Sequence, residues 1–309
     1  MVSKIEVNVY DILKQFIPSE RISAKEPMAN HTSFKIGGPA DIYVQPASGK
    51  ELVQIINECR HNKTPFFVLG HGTNILVPDE GLRKVVIHLY PHFSGCQLTE
   101  DGTHLIAEAG ALLSAIANMA CKAGLKGLEF ASGIPGTVGG AICMNAGAYG
   151  HDISDICVSV DMLMPDGEIV TLPGKEMAFG YRTSILQQNN GVVLSAKFAL
   201  STGNKDAILA YMQDLNGRRR DTQPLDFPSA GSTYKRPPGH YAGKLISDCN
   251  LKGVSIGGAQ VSEKHAGFII NTGNATAKDV LELMEHVQDT VKTRYGVMLE
   301  PEVKILCNL

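Results

Sequence analysis

The segment from residue 130 to residue 151 contains no Asp, Glu, Lys or Arg, yet it holds six glycines together with Pro135 and Asn145. An uncharged run of this length invites a membrane reading, but glycine and proline at such density would strand backbone N–H and C=O groups in lipid. The segment is therefore expected to be a loop system. Glycine forfeits more chain entropy on folding than any other residue, so a cluster of them points to a backbone that must come very close to something. The densest part is Gly133-Ile134-Pro135-Gly136-Thr137-Val138-Gly139-Gly140-Ala141. Two partners fit it equally: a flat or anionic ligand, or a turn packed tightly across a sheet.

A second glycine turn, Gly70-His71-Gly72-Thr73-Asn74-Ile75, directly follows the apolar run 65–69 and has the makings of an anion nest. It is not a dinucleotide-binding G-x-G-x-x-G fingerprint, because the third glycine, the helix start and the acidic ribose residue are out of register; nor does it end in the Gly-Lys-Ser/Thr of a phosphate loop. Alone, such a loop is more often a structural turn. Two of them separated by a β-rich region point to one extended dinucleotide lying across two subdomains.

The rest of the chain supports a globular reading. With 309 residues, 44% hydrophobic and 19% charged, two or three domains are expected. The balance of 28 Lys+Arg against 31 Asp+Glu gives no general basic footprint for nucleic acid, so an anionic partner must be met locally, Arg218, Arg219 and Arg220 being the densest cluster. Residues 1–16 carry Lys4, Glu6, Asp11 and Lys14 and no apolar h-region, so a cytoplasmic protein without membrane insertion is expected. Seven cysteines with no C-x-x-C pair predict buried reduced thiols and no metal site.

Periodicity places an amphipathic helix on Ile5, Val9, Ile12, Leu13 and Phe16, ending at Pro18, and a β-α-β unit over residues 40–69, its helix opened by a Ser48-x-x-Glu51 capping box. Strands are expected at 84–89, 104–107, 156–164, 168–172 and 192–200, with Pro165-Asp166-Gly167 as a hairpin turn, and an Ala-rich helix at 112–122. Asn204 is expected to cap a helix closed by Gly217 and the arginines, and Thr276-x-x-Asp279 to open another that runs to Gly296. A terminal strand over 297–306, interrupted by Pro301, completes an α+β chain.

Several motifs carry a family resemblance. Asn30-His31-Thr32-Ser33-Phe34-Lys35-Ile36-Gly37-Gly38-Pro39-Ala40-Asp41, both glycine turns, Tyr181-Arg182-Thr183-Ser184, Pro228-Ser229-Ala230-Gly231-Ser232-Thr233-Tyr234-Lys235-Arg236-Pro237, Lys264-His265-Ala266-Gly267-Phe268 and Leu299-Glu300-Pro301-Glu302-Val303 occur in that order. Over about residues 21–306 the chain resembles the UDP-N-acetylenolpyruvoylglucosamine reductases, flavoenzymes of peptidoglycan synthesis, in the shorter of their two forms, which lacks an inserted substrate-covering loop. The resemblance implies a two-subdomain FAD-binding module of the vanillyl-alcohol-oxidase (PCMH) type followed by an α/β substrate-binding domain. The corresponding boundaries are an N-terminal helix at 1–20, FAD subdomains at 21–80 and 81–203, and a substrate domain at 204–309 whose last strand can return to the first subdomain.

It also implies noncovalent FAD, NADPH as reductant and UDP-N-acetylglucosamine enolpyruvate as substrate, with no obligate protein partner. Flavin N5 would give hydride to the methylene carbon of the enol ether, and a proton would arrive at the carbon bearing the carboxylate. FAD would be held by Gly70, His71, Gly72, Thr73, Asn74 and Ile75 and by Gly133, Ile134, Pro135, Gly136, Thr137, Gly139, Gly140 and Ala141. The family's catalytic trio falls on Arg182, which would face the carboxylate as charge grows there, Ser232 as proton donor, and Glu302 as a protonated acid bonding the developing enolate. Glu300, of the same strand parity, rivals Glu302. Tyr181, Arg219, Lys235, Arg236, Lys252 and His265 are candidates for the substrate, although His265 is better suited to satisfying buried backbone.

Two other readings compete. An FAD oxidase of the same superfamily would share both glycine turns but not the motifs around Ser232, Lys264 and Glu302. A noncatalytic flavin or UDP-sugar binding regulator would have no need of Arg182, Ser232 and Glu302.

Overall fold

The structure, a computed structural model, describes residues 9–308. The chain forms two compact units, the first comprising residues up to Lys25, Asp41–His71 and Lys84–Gly217, the second Glu26–Ala40, Gly72–Arg83 and the chain from Arg218 onward.

In the first unit, α1 (Val9–Leu13) buries Val9 and Leu13, as the helical spacing predicts; Ile5 lies outside the described residues. α2 (Gly49–His61) starts where Ser48 Oγ accepts the Glu51 N–H at 3.2 Å, and it buries Leu52, Ile55, Ile56 and Cys59. The expected capping box is only half formed. Glu51 turns away from Ser48, accepts the Ala47 N–H at 2.8 Å, and takes both guanidinium arms of Arg21 at 2.6 and 3.0 Å. That fork holds the Glu51 carboxyl below its usual range. Glu51→Gln is expected to cost about 1.5–3 kcal/mol, the worth of a charged hydrogen bond. Because the folded-state pKa is depressed, this contribution is complete above the ordinary value of 4.5 and is lost as pH falls through the folded value. Urea unfolding of both proteins should therefore converge in acid.

A five-stranded antiparallel sheet supplies the second layer, in the order Ile169–Pro173, Cys157–Leu163, Val192–Ala199, His104–Glu108, Cys96–Leu98. Its hairpin turns at Gly167, with φ of +95°, as the Pro-Asp-Gly sequence predicts. A four-stranded sheet orders Ile22–Pro27, Pro39–Val44, Leu82–His88 and Phe66–Leu69. The strands flanking α2 are thus not neighbours, because Leu82–His88 inserts between them and runs parallel to Phe66–Leu69. α3 (Leu113–Lys122) is the predicted Ala-rich helix.

Three features depart from expectation. α4 (Val138–Met144) is helical inside the uncharged segment expected to be loop. Burial of Val138, Ala141 and Ile142 on one face, with the Val138 and Gly139 N–H groups bonded to Ala111 O and Ala109 O at 2.8 Å, overrides the poor propensity of its two glycines. α5 (Leu186–Asn189) is a single unpredicted turn. α6 (Lys205–Thr222) begins as expected, with Asn204 Oδ1 accepting the Ala207 N–H at 2.9 Å, but it continues through Gly217 to Thr222, so Arg218–Arg220 lie within its last turns rather than beyond them.

The second unit holds an antiparallel sheet that periodicity did not predict, because its strands are two to four residues long: Ser229–Ser232, Phe268–Asn271, Ala259–Val261, Ser255–Ile256. Its core combines Leu245 and Ile246 of α7 (Ala242–Asp248) with Val280, Leu283, Val287 and Val291 of α8 (Ala277–Tyr295). α8 opens with the reciprocal Thr276–Asp279 capping box and closes at Gly296, φ +69°, both as predicted. Phe34, Ile36 and Leu76 join this core, which is why their segments group here rather than with the rest of residues 21–80.

The expected terminal strand shrinks to Lys304–Ile305, parallel to Ile75–Leu76, since Pro301 lacks a donor and the backbone before it bonds elsewhere. The thiols are also less uniform than expected: Cys59 and Cys121 are buried, Cys307 is exposed and the others are half-buried. Burial pushes the Cys59 thiol up to about 12. Among the described residues no helix is long and apolar enough to cross a membrane.

Candidate active site

The first unit brings the two glycine stretches together. A Cβ on Gly70 would collide with Thr137 Oγ1, so that glycine is required by close approach to the second stretch. Thr137 stands at the start of α4 without capping it, and its hydroxyl oxygen is buried with no hydrogen-bond partner among the described residues. Leaving a buried hydroxyl unsatisfied costs about 1–3 kcal/mol. A ligand that accepts or donates at Thr137 Oγ1 removes that cost, which is the fit expected of a cofactor cradle formed by Gly70, Thr137 and the turn between Gly133 and Gly136. Other groups in the stretch are spoken for: Gly139 packs on Ala109, and the Gly136 carbonyl accepts the Leu113 N–H at 2.9 Å. His71 packs edge-on against Tyr90 at 5.1 Å.

Thr137→Val tests this with opposed signs. The cofactor-free protein should become more stable, because the stranded hydroxyl is gone, while FAD should bind about tenfold more weakly for the loss of one hydrogen bond. Thermal melting with and without FAD, and flavin fluorescence titration, read the two effects separately.

Arg182 projects from a tight hairpin in which Gly180 and Thr183 exchange N–H···O bonds at 3.1 and 3.3 Å. Its φ of +56° is left-handed, costly for a side chain of this size by about 1–2 kcal/mol. The guanidinium lies 5.1 Å from the Tyr181 ring and within 3.5 and 3.3 Å of the Asn145 and Gly147 carbonyls. Those two carbonyls follow α4, so the end of the glycine-rich segment meets the arginine hairpin. Asn145 was not singled out for a role by the sequence; an Asn at the close of a helix is the signal that was there to read.

The second unit assembles the serine motif. Between Ser229, paired with Ile270, and Ser232, paired with Phe268, the strand holds one residue more than its partner. This bulge uses Gly231 at φ +76° and leaves Ser232 exposed while Thr233 is buried. The following residues bond to the chain near its end: Glu302 N–H to Thr233 O and Lys235 N–H to Glu300 O, both at 2.8 Å, with a bridge between Tyr234 and Pro301. Glu302 is thereby set beside Thr233, one residue from Ser232, and is half-buried. Glu300 is exposed and ion-paired with Lys235. Asn74 locks the arrangement, its amide donating to Glu302 O at 3.2 Å and its carbonyl accepting the Lys304 N–H at 2.9 Å.

Gly72 is explained by packing: at φ +64° its Cβ would collide with the His31 carbonyl, and its own carbonyl accepts the Ser33 N–H at 3.0 Å. Ser33 Oγ donates in turn to Ser229 O at 2.6 Å, tying the first glycine turn to the serine strand.

The remaining candidates are dispersed in this unit. Arg236 stacks on Tyr241 at 4.0 Å. Arg219 and Arg220 lie in the last turns of α6, where Lys264 Nζ donates to Arg220 O at 2.5 Å. Lys252 is exposed. His265 accepts the Gly267 N–H at Nδ1, 3.1 Å away, and burial lowers its pKa, so the ring is a neutral backbone partner. The Gly267 carbonyl accepts the Thr233 N–H at 2.8 Å, so this turn supports the residue next to Ser232.

Residues 40–173 match the family model of an FAD binding domain, and residues 223–306 match that of the UDP-N-acetylenolpyruvoylglucosamine reductase C-terminal domain. The reductase of that name from Caldanaerobacter subterraneus subsp. tengcongensis is 55% identical over 296 residues, which is 96% of this chain and 97% of its own. The chain belongs to the UDP-N-acetylenolpyruvoylglucosamine reductase family. A reductase from Alkaliphilus metalliredigens is 48% identical, over 97% of this chain and 98% of its own. The crystal structure of the reductase (MurB) from Thermus caldophilus superposes with a TM-score of 0.81 at 35% identity, over 93% of this chain and 99% of that one. The fold is accordingly the anticipated α+β architecture, an FAD-binding domain followed by the C-terminal domain of the reductase family.

Proposed function

We propose that this FAD-dependent reductase saturates the enolpyruvyl ether of UDP-N-acetylglucosamine with hydride from NADPH, making UDP-N-acetylmuramate for peptidoglycan precursors. The observation that carries the reading is the bulge at Ala230-Gly231, which leaves Ser232 exposed one residue from the backbone bond that sets Glu302. FAD, when bound, would supply the redox chemistry, carrying the hydride between NADPH and the methylene carbon of the enol ether. The chain's own residues handle position, charge and the proton.

Gly70, Thr137 and the Gly133–Gly136 turn hold the cofactor. Arg182 faces the substrate carboxylate, onto which electrons move as hydride adds, so its guanidinium stabilises charge that grows toward the transition state. Ser232 delivers the proton to the carbon bearing that carboxylate. A serine hydroxyl is a weak acid, so its effectiveness depends on neighbours that stabilise the oxygen left behind. Glu302 is favoured over Glu300 as the acid that bonds the enolate, because Glu300 is exposed and spent on Lys235. The diphosphate is met by Arg219, Arg236 and Lys252, and a soluble nucleotide substrate with a nicotinamide reductant puts the reaction in the cytoplasm.

Flavin absorbance tests the proposal. Under anaerobic conditions NADPH should bleach the bound flavin, UDP-N-acetylglucosamine enolpyruvate should restore it, and the product should gain the mass of two hydrogens. Recovery with oxygen alone would make the chain an oxidase, and bleaching without recovery by the enolpyruvyl compound would reject the assigned substrate.

A further inference from the structure

We infer that Asn145 is the positioning residue for Arg182: its side-chain amide fixes the Gly180–Thr183 hairpin and so sets the rate of the substrate half-reaction without touching the substrate. The inference rests on the reading of Arg182 given above.

Asn145 ends α4 in the left-handed conformation, φ +40°, and is buried. Glycine is the usual residue at such a position, and a buried Asn there is informative only if its side chain is used. Both of its polar atoms are. Oδ1 accepts the Ser154 N–H at 3.0 Å, and Nδ2 donates to Gly180 O at 3.2 Å, which also settles the orientation of the amide.

The Gly180 bond matters because the hairpin it grips is strained. A non-glycine residue at φ +56° persists only where its surroundings over-determine it. The guanidinium's contacts with Asn145 O and Gly147 O, at 3.5 and 3.3 Å, are long for charged hydrogen bonds. The backbone beneath Arg182 is held more closely. That backbone is tied to the carbonyls left open at the end of α4: Ser184 Oγ and Gln187 Nε2 donate to Cys143 O at 3.0 and 3.3 Å, and Asn145 closes the other side of the turn. α4 begins directly after Thr137, so one short helix connects the proposed cofactor cradle to the arginine.

Two variants separate the bonds of Asn145. Asn145→Gly keeps the left-handed backbone and deletes both side-chain bonds; Asn145→Asp keeps an acceptor for Ser154 and loses the donor to Gly180. In anaerobic half-reactions of the FAD-loaded enzyme, both should slow flavin reoxidation by UDP-N-acetylglucosamine enolpyruvate about ten- to a hundredfold, as sub-ångström misplacement of a charge-stabilising group does. Flavin reduction by NADPH should keep its parental rate in both. Parental behaviour of Asn145→Asp would overturn the inference, assigning Asn145 to the Ser154 turn, and so would a parallel fall of both half-reactions or loss of FAD, either of which makes Asn145 part of the general fold. Arg182→Ala is measured alongside: parental reoxidation in that variant overturns the reading of Arg182, whereas slow reoxidation there with unaffected Asn145 variants overturns this inference alone.

Discussion

Ser232→Ala is expected to yield an enzyme that NADPH reduces at the parental rate and that the enolpyruvyl substrate reoxidises about 10²–10⁴-fold more slowly, the range supplied by a positioned proton donor. The asymmetry follows from the chemistry. Hydride transfer from NADPH to the flavin moves no proton through a serine, whereas addition across the enol ether leaves a carbon that must be protonated. The fold should not suffer, because Ser232 is exposed, its strand pairing is made by backbone, and the neighbouring bonds to Gly267 and Glu302 belong to Thr233. Stopped-flow absorbance of the two half-reactions gives both rates on one sample. Equal loss in both would assign Ser232 to the turn and remove it from the chemistry.

Arg182→Lys should lower the rate of substrate reduction by about 10²–10³, similar to deleting one preorganised donor from a developing oxyanion. The positive charge is kept, so the loss measures geometry. A guanidinium offers a planar fork to a carboxylate, and an ammonium on a flexible stem offers a point charge. The effect should fall mainly on kcat, with KM for the enolpyruvyl substrate changed much less, since the interaction strengthens as charge moves onto the carboxylate. Stability should shift by less than about 0.5 kcal/mol, as Arg182 is half-buried on a surface hairpin and its contacts with the carbonyls are long. A rise in KM with kcat preserved would show that Arg182 binds substrate without assisting the reaction.

The local rules were legible where one short stretch contains its own reason. Asn204 capping α6, the Thr276–Asp279 box of α8, Gly296 closing it and the turn at Gly167 all depend on residues within a few positions of one another. They failed where a distant partner outbid the local preference. Glu51 was expected to close its own box and is taken by Arg21, thirty positions away, because a bidentate charged fork is stronger than a neutral backbone bond. The glycines of α4 were expected to make a loop and are helical because the Ala109 and Ala111 carbonyls take the N–H groups of Gly139 and Val138.

For the candidate site the division is similar. Residue types and motif order, from Tyr181-Arg182 to Glu300-Pro301-Glu302, sufficed to name the family, and the trio of Arg182, Ser232 and Glu302 is what that resemblance implies. Strand parity treats Glu300 and Glu302 alike, and it was the family's separation from the serine that favoured Glu302. In the tertiary structure Glu300 is ion-paired with Lys235 and the Glu302 N–H bonds to the Thr233 carbonyl, a difference that supports the proposed choice of Glu302. Nor did any local pattern show that Gly70 is required by Thr137, that Gly72 is required by His31, or that Asn145 grips the arginine hairpin. Sequence alone determined which reactive groups the chain possesses and the short-range turns that end its helices; the pairing of segments up to some two hundred positions apart decided which groups are spent on the fold and which are presented, because exclusion at close contact and hydrogen-bond reach are properties of distance in space.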